Sequence, residues 1–145
     1  MFGDNPLLFQ TTIKKPKNNR IVIPSKTGVE PGECLVLYSE EKYLSIYSLK
    51  VYRQIIMEYK KIIKSLRMKN LSIDRKKHEL DCIYFNIYDN NIVDNDNRII
   101  LPKIVVNKYD FSDELYVLGA FDHLELFKDE NTFENYKKYV KEKRS

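Results

Sequence analysis

Two arginines stand in matching local settings. The runs Asn19-Arg20-Ile21-Val22-Ile23-Pro24 and Asn97-Arg98-Ile99-Ile100-Leu101-Pro102 each place an arginine after an asparagine and before an apolar stretch closed by proline, 78 positions apart. A guanidinium offers donors in a planar fork, which can grip a guanine edge with two hydrogen bonds or clamp a phosphate. The plainer alternative is a salt bridge with a nearby acid. One arginine alone favours that alternative, and recurrence of the pattern brings the two readings level. Ahead of Arg98 the turn Asp94-Asn95-Asp96-Asn97 can shape itself, because Asp side chains accept from turn amides and Asn tolerates left-handed backbone. Ahead of Arg20 the segment Pro16-Lys17-Asn18-Asn19 lacks the acid. The second turn is therefore expected to be the better organised and Arg98 the stronger contact. Asn18, Asn19, Asn95 and Asn97 are expected to shape the turns, while Lys14, Lys15, Lys17, Lys26 and Lys103 supply phosphate contacts blind to sequence.

Other chemistry finds no foothold. The chain has no glycine-rich phosphate loop, no Gly-x-Ser-x-Gly elbow and no His-Glu-x-x-His. Neither of the two histidines has a partner nucleophile: His123 reads as a turn histidine bonded to backbone or carboxylate, and His78 as an exposed residue of a charged segment. Asp94 and Asp96 lack the glycine and terminal glutamate of a calcium loop, so turn capping is the expected role. Cys34 and Cys82 lie too far apart in sequence for a zinc motif and read as buried, reduced thiols. The expectation is a protein that is not an enzyme and has no metal or cofactor.

The elements that position the arginines come in two copies. Beyond the arginine runs, Leu35-Val36-Leu37-Tyr38 matches Leu115-Tyr116-Val117-Leu118, and Leu44-Ser45-Ile46-Tyr47 matches Leu124-Glu125-Leu126-Phe127, both at an offset of 80. Three matched blocks in one order indicate a tandem duplication, with residues 1–67 as the first repeat and its helix, 68–80 as a charged connection, and 81–145 as the second repeat and its helix. The short β-branched runs read as strands, with Pro24 and Pro102 ending the first strand after each turn. A further strand is expected over Cys82 to Tyr88, as counterpart of Leu7 to Ile13. Leu49, Tyr52, Ile55, Ile56, Tyr59, Ile62, Ile63 and Leu66 follow the helical period and predict an amphipathic helix with a basic outer face. A second helix is expected to start at Asn131 as cap with Glu134 as capping-box partner, to bury Phe133, Tyr136 and Val140, and to fray over 141–145.

The run Asp94-x-x-Asn97-Arg98-x-x-Leu101-Pro102, followed by Glu114-Leu115-Tyr116-Val117-Leu118-Gly119-x-x-Asp122-His123-Leu124-Glu125-Leu126-Phe127, resembles the second repeat of the MraZ family of bacterial transcriptional regulators. Arg20, Pro24 and Val29-Glu30-Pro31-Gly32-Glu33 resemble the broader AbrB-type pattern, with Pro16 where the MraZ pattern has aspartate and too few residues after Pro24 for its usual helix. The resemblance implies an α+β, mainly β fold: a swapped-hairpin AbrB-like β-barrel formed by the two tandem repeats, with helices following each repeat. It also implies assembly into a ring and binding of double-stranded DNA at short repeated promoter sites, with arginines from several subunits engaged.

Composition agrees with that class without selecting it. Hydrophobic residues make up 43% and charged residues 32%, and the formal charge of +4 mildly favours an anionic partner. No segment approaches the roughly 18 apolar residues of a membrane span, and the start of the chain lacks the pattern of a signal peptide. A cytoplasmic, nucleoid-associated homo-oligomer is the expectation. Two alternatives stay open: an antitoxin of the AbrB type, and an oligomeric interaction module of the same fold that binds no DNA.

Overall fold

A computed structural model describes residues 1–144, the side chain of Arg144 excepted. The fold is α+β. Eight strands and four helices are present among the described residues: β1 (Leu7–Lys14), β2 (Arg20–Val22), β3 (Cys34–Ser39), β4 (Leu44–Ser48), α1 (Leu49–Met68), α2 (Asp74–Phe85), β5 (Ile87–Ile92), β6 (Arg98–Ile100), α3 (Lys103–Tyr109), β7 (Glu114–Phe121), β8 (His123–Phe127) and α4 (Glu130–Arg144). A single 3₁₀ turn, Ser25–Thr27, follows Pro24 where α3 follows Pro102.

The two copies exchange strands. Six strands form one sheet in the order β1-β7-β8-β4-β3-β5, and β2 pairs with β6 as a separate ribbon. Every pairing is antiparallel. The order reads the same from either end if each strand is replaced by its repeat counterpart, so the duplication is expressed as a pseudo-two-fold axis between β4 and β8. Strand β1 of the first copy lies against β7 of the second, and β5 of the second lies against β3 of the first. Neither half can complete its own sheet, which is why one core holds Leu35, Leu37, Leu44 and Ile46 together with Leu115, Val117, Leu124 and Leu126, all 1% exposed or less. The sheet does not close. Among the described residues, edge strands β1 and β5 have no hydrogen-bonded strand on their outer sides, which corrects the expected barrel. The short ribbon is hydrogen-bonded as a sheet of its own, with β2 in contact with β1 and β6 with β5.

Helix α1 forms largely where its periodicity placed it. Ser48 caps it by accepting from the Val51 amide at 3.1 Å, and Ile56 and Ile63 are buried, whereas Ile62 is left exposed. At its far end Asn70 takes a left-handed φ of 55°, with Leu71 N donating to Leu66 O and Asn70 N to Arg67 O, the bond pattern of a Schellman stop.

That stop redirects the chain into α2, so 68–80 is no extended linker. Its charges pair along the helix: Lys77 Nζ lies 2.7 Å from Asp81 and Lys76 Nζ 3.2 Å from Glu79. Ile73, Leu80 and Ile83 form an apolar stripe that packs on Tyr52, Ile56, Tyr59 and Ile63 of α1. The expected strand over Cys82 to Tyr88 is therefore mostly helix, and β5 begins only at Ile87. The β-branched and aromatic residues 83–85 favoured a strand locally, but the apolar stripe docks on α1 only in helical form.

In α4 the cap is Asp129, whose carboxylate accepts from the Thr132 amide at 2.7 Å; Asn131 lies within the first turn. Phe133 is buried and Tyr136 half-buried against Phe127, but Val140 is 41% exposed. The helix runs on through the expected fraying segment to Arg144; Ser145 lies outside the described residues. Both cysteines are free and half-buried rather than fully buried.

Candidate nucleic-acid interface

Period-2 alternation decides what the β2–β6 ribbon shows to solvent. Ile21 and Ile99 face each other across the ribbon at 1% exposure each, so their neighbours must point outward. Arg20 stands opposite Ile100 and Val22 opposite Arg98. The outer face thus carries two diagonal arginines and two aliphatic residues, Val22 and Ile100, at 49% and 55% exposure. Two further bonds lengthen the ribbon symmetrically, Ile23 N to Asn97 O at 2.8 Å and Leu101 N to Asn19 O at 2.6 Å. The asparagine before each arginine thereby anchors the other copy.

The turns feeding the ribbon differ. In the first, Lys17 and Arg20 exchange backbone hydrogen bonds of 3.1 and 3.0 Å around Asn18 and Asn19, whose φ values of 53° and 61° are the pattern of a two-residue type I′ turn. In the second, three residues intervene between Asp94 and Arg98, and only Asn97 is left-handed, at 58°. Asn95 is exposed and does not adopt positive φ, so it contributes no left-handed geometry. Asp94 Oδ1 accepts from the amides of Asp96 and Arg98, each at 2.9 Å. The Arg98 amide, then that of Asp96, holds the Asp94 carboxyl below its usual range against the opposing effect of desolvation, with the Arg98 and Arg20 charges adding to the shift.

The same acids reach the Arg98 side chain. Its Nη2 bonds Asp96 Oδ2 at 2.9 Å, and its buried Nε lies 3.5 Å from Asp94 Oδ2, a charge pairing without a hydrogen bond. Arg20 is exposed and has no ion pair among the described residues. The lysines divide likewise. Lys14 lies opposite Glu114 in the β1–β7 pair, Lys15 Nζ is 3.1 Å from Asp113, and Lys26 Nζ sits 5.7 Å above the Phe9 ring. Lys17 and Lys103 are exposed without ion pairs among the described residues. Of the residues singled out from sequence, the ribbon brings Arg20, Arg98, Asn19 and Asn97 together, with Lys17 and Asn18 in the first turn. Lys14 belongs to β1, Lys15 follows it directly, Lys26 lies in the 3₁₀ turn and Lys103 opens α3.

Sequence reasoning passed over Val22 and Ile100, although their alternation with the arginines marked them. At the β7–β8 corner His123 bonds carboxylate as its sequence setting led one to expect, in a polar knot whose second carboxylate and stacked tyrosine the sequence did not show. His123, 17% exposed, has Nδ1 2.7 Å from Asp122 Oδ1 and Nε2 2.9 Å from Glu125 Oε2, and its ring stacks on Tyr47 at 4.7 Å. Burial lowers its pKa, but the bonds to Glu125 and Asp122 more than offset this and leave it raised. A third group, Lys108 and Tyr109 at the end of α3, clasps the β3–β4 corner: Tyr109 Oη donates to Glu40 O and Tyr43 O, and Lys108 Nζ bonds Ser39 and Glu40.

No protein-family model matches this chain, and no curated protein matches it in sequence.

Proposed function

We propose that the chain is a sequence-specific, DNA-binding transcriptional regulator with a strand-exchanged, AbrB-like arrangement, acting in the nucleoid as a homo-oligomer on repeated promoter sites. The observation that carries this reading is the β2–β6 pairing, which puts Arg20 and Arg98 on the outer face of one ribbon. A two-stranded ribbon fits the major groove, where arginine reads guanine and an aliphatic side chain such as Val22 or Ile100 meets a thymine methyl. Exposed Lys17 and Lys103 add charge for phosphates. Oligomer formation is supported by the two unpaired sheet edges and by the apolar Leu8 and Phe121, 77% and 63% exposed on the neighbouring strands β1 and β7.

One observation favours a protein-interaction module instead: Arg98 already has two carboxylate partners, and two of the ribbon's other three outward residues, Val22 and Ile100, are apolar. A gel shift on the DNA upstream of the chain's own gene separates the readings. The DNA reading expects log affinity to fall with log salt, by about 0.9 per phosphate contacted. It also expects light scattering at several times the 17.3 kDa of one chain. A salt-independent response, or a monomer, removes the multi-site DNA mechanism.

A further inference from the structure

Where the α1–α2 hairpin meets β3, β4 and β5, a cleft of about 240 Å³ opens. Tyr38 of β3, Tyr47 of β4, and Tyr52 and Tyr59 of α1 line it, together with Glu40, and all five are half-buried. The clustering follows from two periods. Tyr52 and Tyr59 are seven apart on one helix face, and Tyr38 lies opposite Ser45, two residues from Tyr47, so the strand pair shares one sheet face.

Aromatic faces carry negative potential and attract cations, most strongly where water is partly excluded. Behind Tyr47 two carboxylates gather around one histidine. His123 stacks on that ring and holds Asp122 and Glu125, while burial and then the Glu125 charge push the Glu40 carboxyl above its ordinary range. Lys108 and then His123 offset part of this, Lys108 from the β3–β4 corner, where its ammonium is committed to Ser39 and Glu40 O. One of the four rings already has a cation over it, with Lys76 Nζ 5.9 Å from the Tyr59 centroid.

A primary ammonium would bring three N–H donors, for which the side chains lining the cleft offer only the Glu40 carboxylate and the tyrosine hydroxyls, and the remaining walls are the isoleucines 55, 83 and 87. A methylated ammonium has a charge and no donor. We propose that the cleft binds a small quaternary ammonium compound, with its methylated head against the tyrosine rings and its charge facing Glu40. The carboxylates at the site disfavour a ligand that carries its own carboxylate. The cleft is a site separate from the arginine ribbon and does not rest on the DNA reading.

Calorimetry of the full chain with choline, glycine betaine and the uncharged tert-butyl analogue of choline tests this. Choline is expected to bind saturably, and both other compounds more weakly. Tyr52→Leu keeps apolar bulk but removes the ring, and it should weaken choline by about threefold to thirtyfold. Glu40→Gln should act in the same direction, and it carries the test by itself if Tyr52→Leu fails to fold by circular dichroism. The proposal is overturned if choline gives no saturable heat, if the uncharged analogue binds as well, or if well-folded variants bind like the parent.

Discussion

The two turns that feed the ribbon begin from one repeated motif and diverge at their tips. The first closes over two left-handed asparagines and leaves Arg20 without an ion pair among the described residues; the second closes over one, and Asp94 shapes the turn while Asp94 and Asp96 both pair with Arg98. Beneath them nothing diverges. Ile21 and Ile99 oppose each other at 1% exposure, and Asn19 and Asn97 make equivalent bonds across the ribbon. Burial is the difference: a substitution in the shared core is felt by both copies, whereas a solvated turn can change while the strands remain paired. Sequence alone ranked Arg98 above Arg20 because the acid organises its turn. The geometry supplies the opposing consideration, since a guanidinium bound to Asp96 must release it to meet DNA.

The largest expected effect tests that ranking. Arg20→Ala should weaken specific DNA binding by about 1–3 kcal/mol per engaged site, and Arg98→Ala by less. Asp96→Asn, which frees Arg98, should tighten binding by at most about 1 kcal/mol. Gel shifts on one operator fragment decide the order, with melting curves confirming that all three variants fold. A larger loss for Arg98→Ala would restore the ranking read from sequence.

Next in size is the backbone contrast. Valine is disfavoured at positive φ, so Asn19→Val and Asn97→Val should each lower stability by about 1–2 kcal/mol in urea denaturation. Asn95→Val should stay within about 0.5 kcal/mol. Equal losses at 95 and 97 would contradict the three-residue turn.

The smallest effect is in pH. Asp94 has a folded pKa below its ordinary 3.8, so the stability it lends is present above that value and lost as pH falls through the folded one. The first turn has no acid and no such limb. Asp94→Asn should therefore flatten part of the acid side of a melting-temperature profile. At the β7–β8 corner the sign reverses: His123 is raised above 6.5, so its contribution is present below that pH and fades as pH rises through the folded value. Its counterpart in the first copy is Tyr43, so the alkaline loss should trace to His123 and disappear in His123→Asn.

Sequence by itself determined what depends on near neighbours or on repetition. The duplication was legible from three matched blocks, the paired arginines from their recurrence at the exit of two turns, the left-handed Asn97 from turn chemistry, and α1 from its apolar period. Tertiary structure decided the rest. Which copy completes which sheet depends on pairings more than a hundred positions apart, such as Leu7 with Phe121, and no local preference encodes them. Residues 82–85 became helix because Leu80 and Ile83 had α1 to pack against, outweighing a local preference for strand. The tyrosine cleft, and the stacking of Tyr47 on His123, likewise exist only where separate elements meet. The tyrosines looked unremarkable along the chain because each takes its environment from neighbours distant in sequence, whereas the carboxylates on His123 are its near neighbours Asp122 and Glu125.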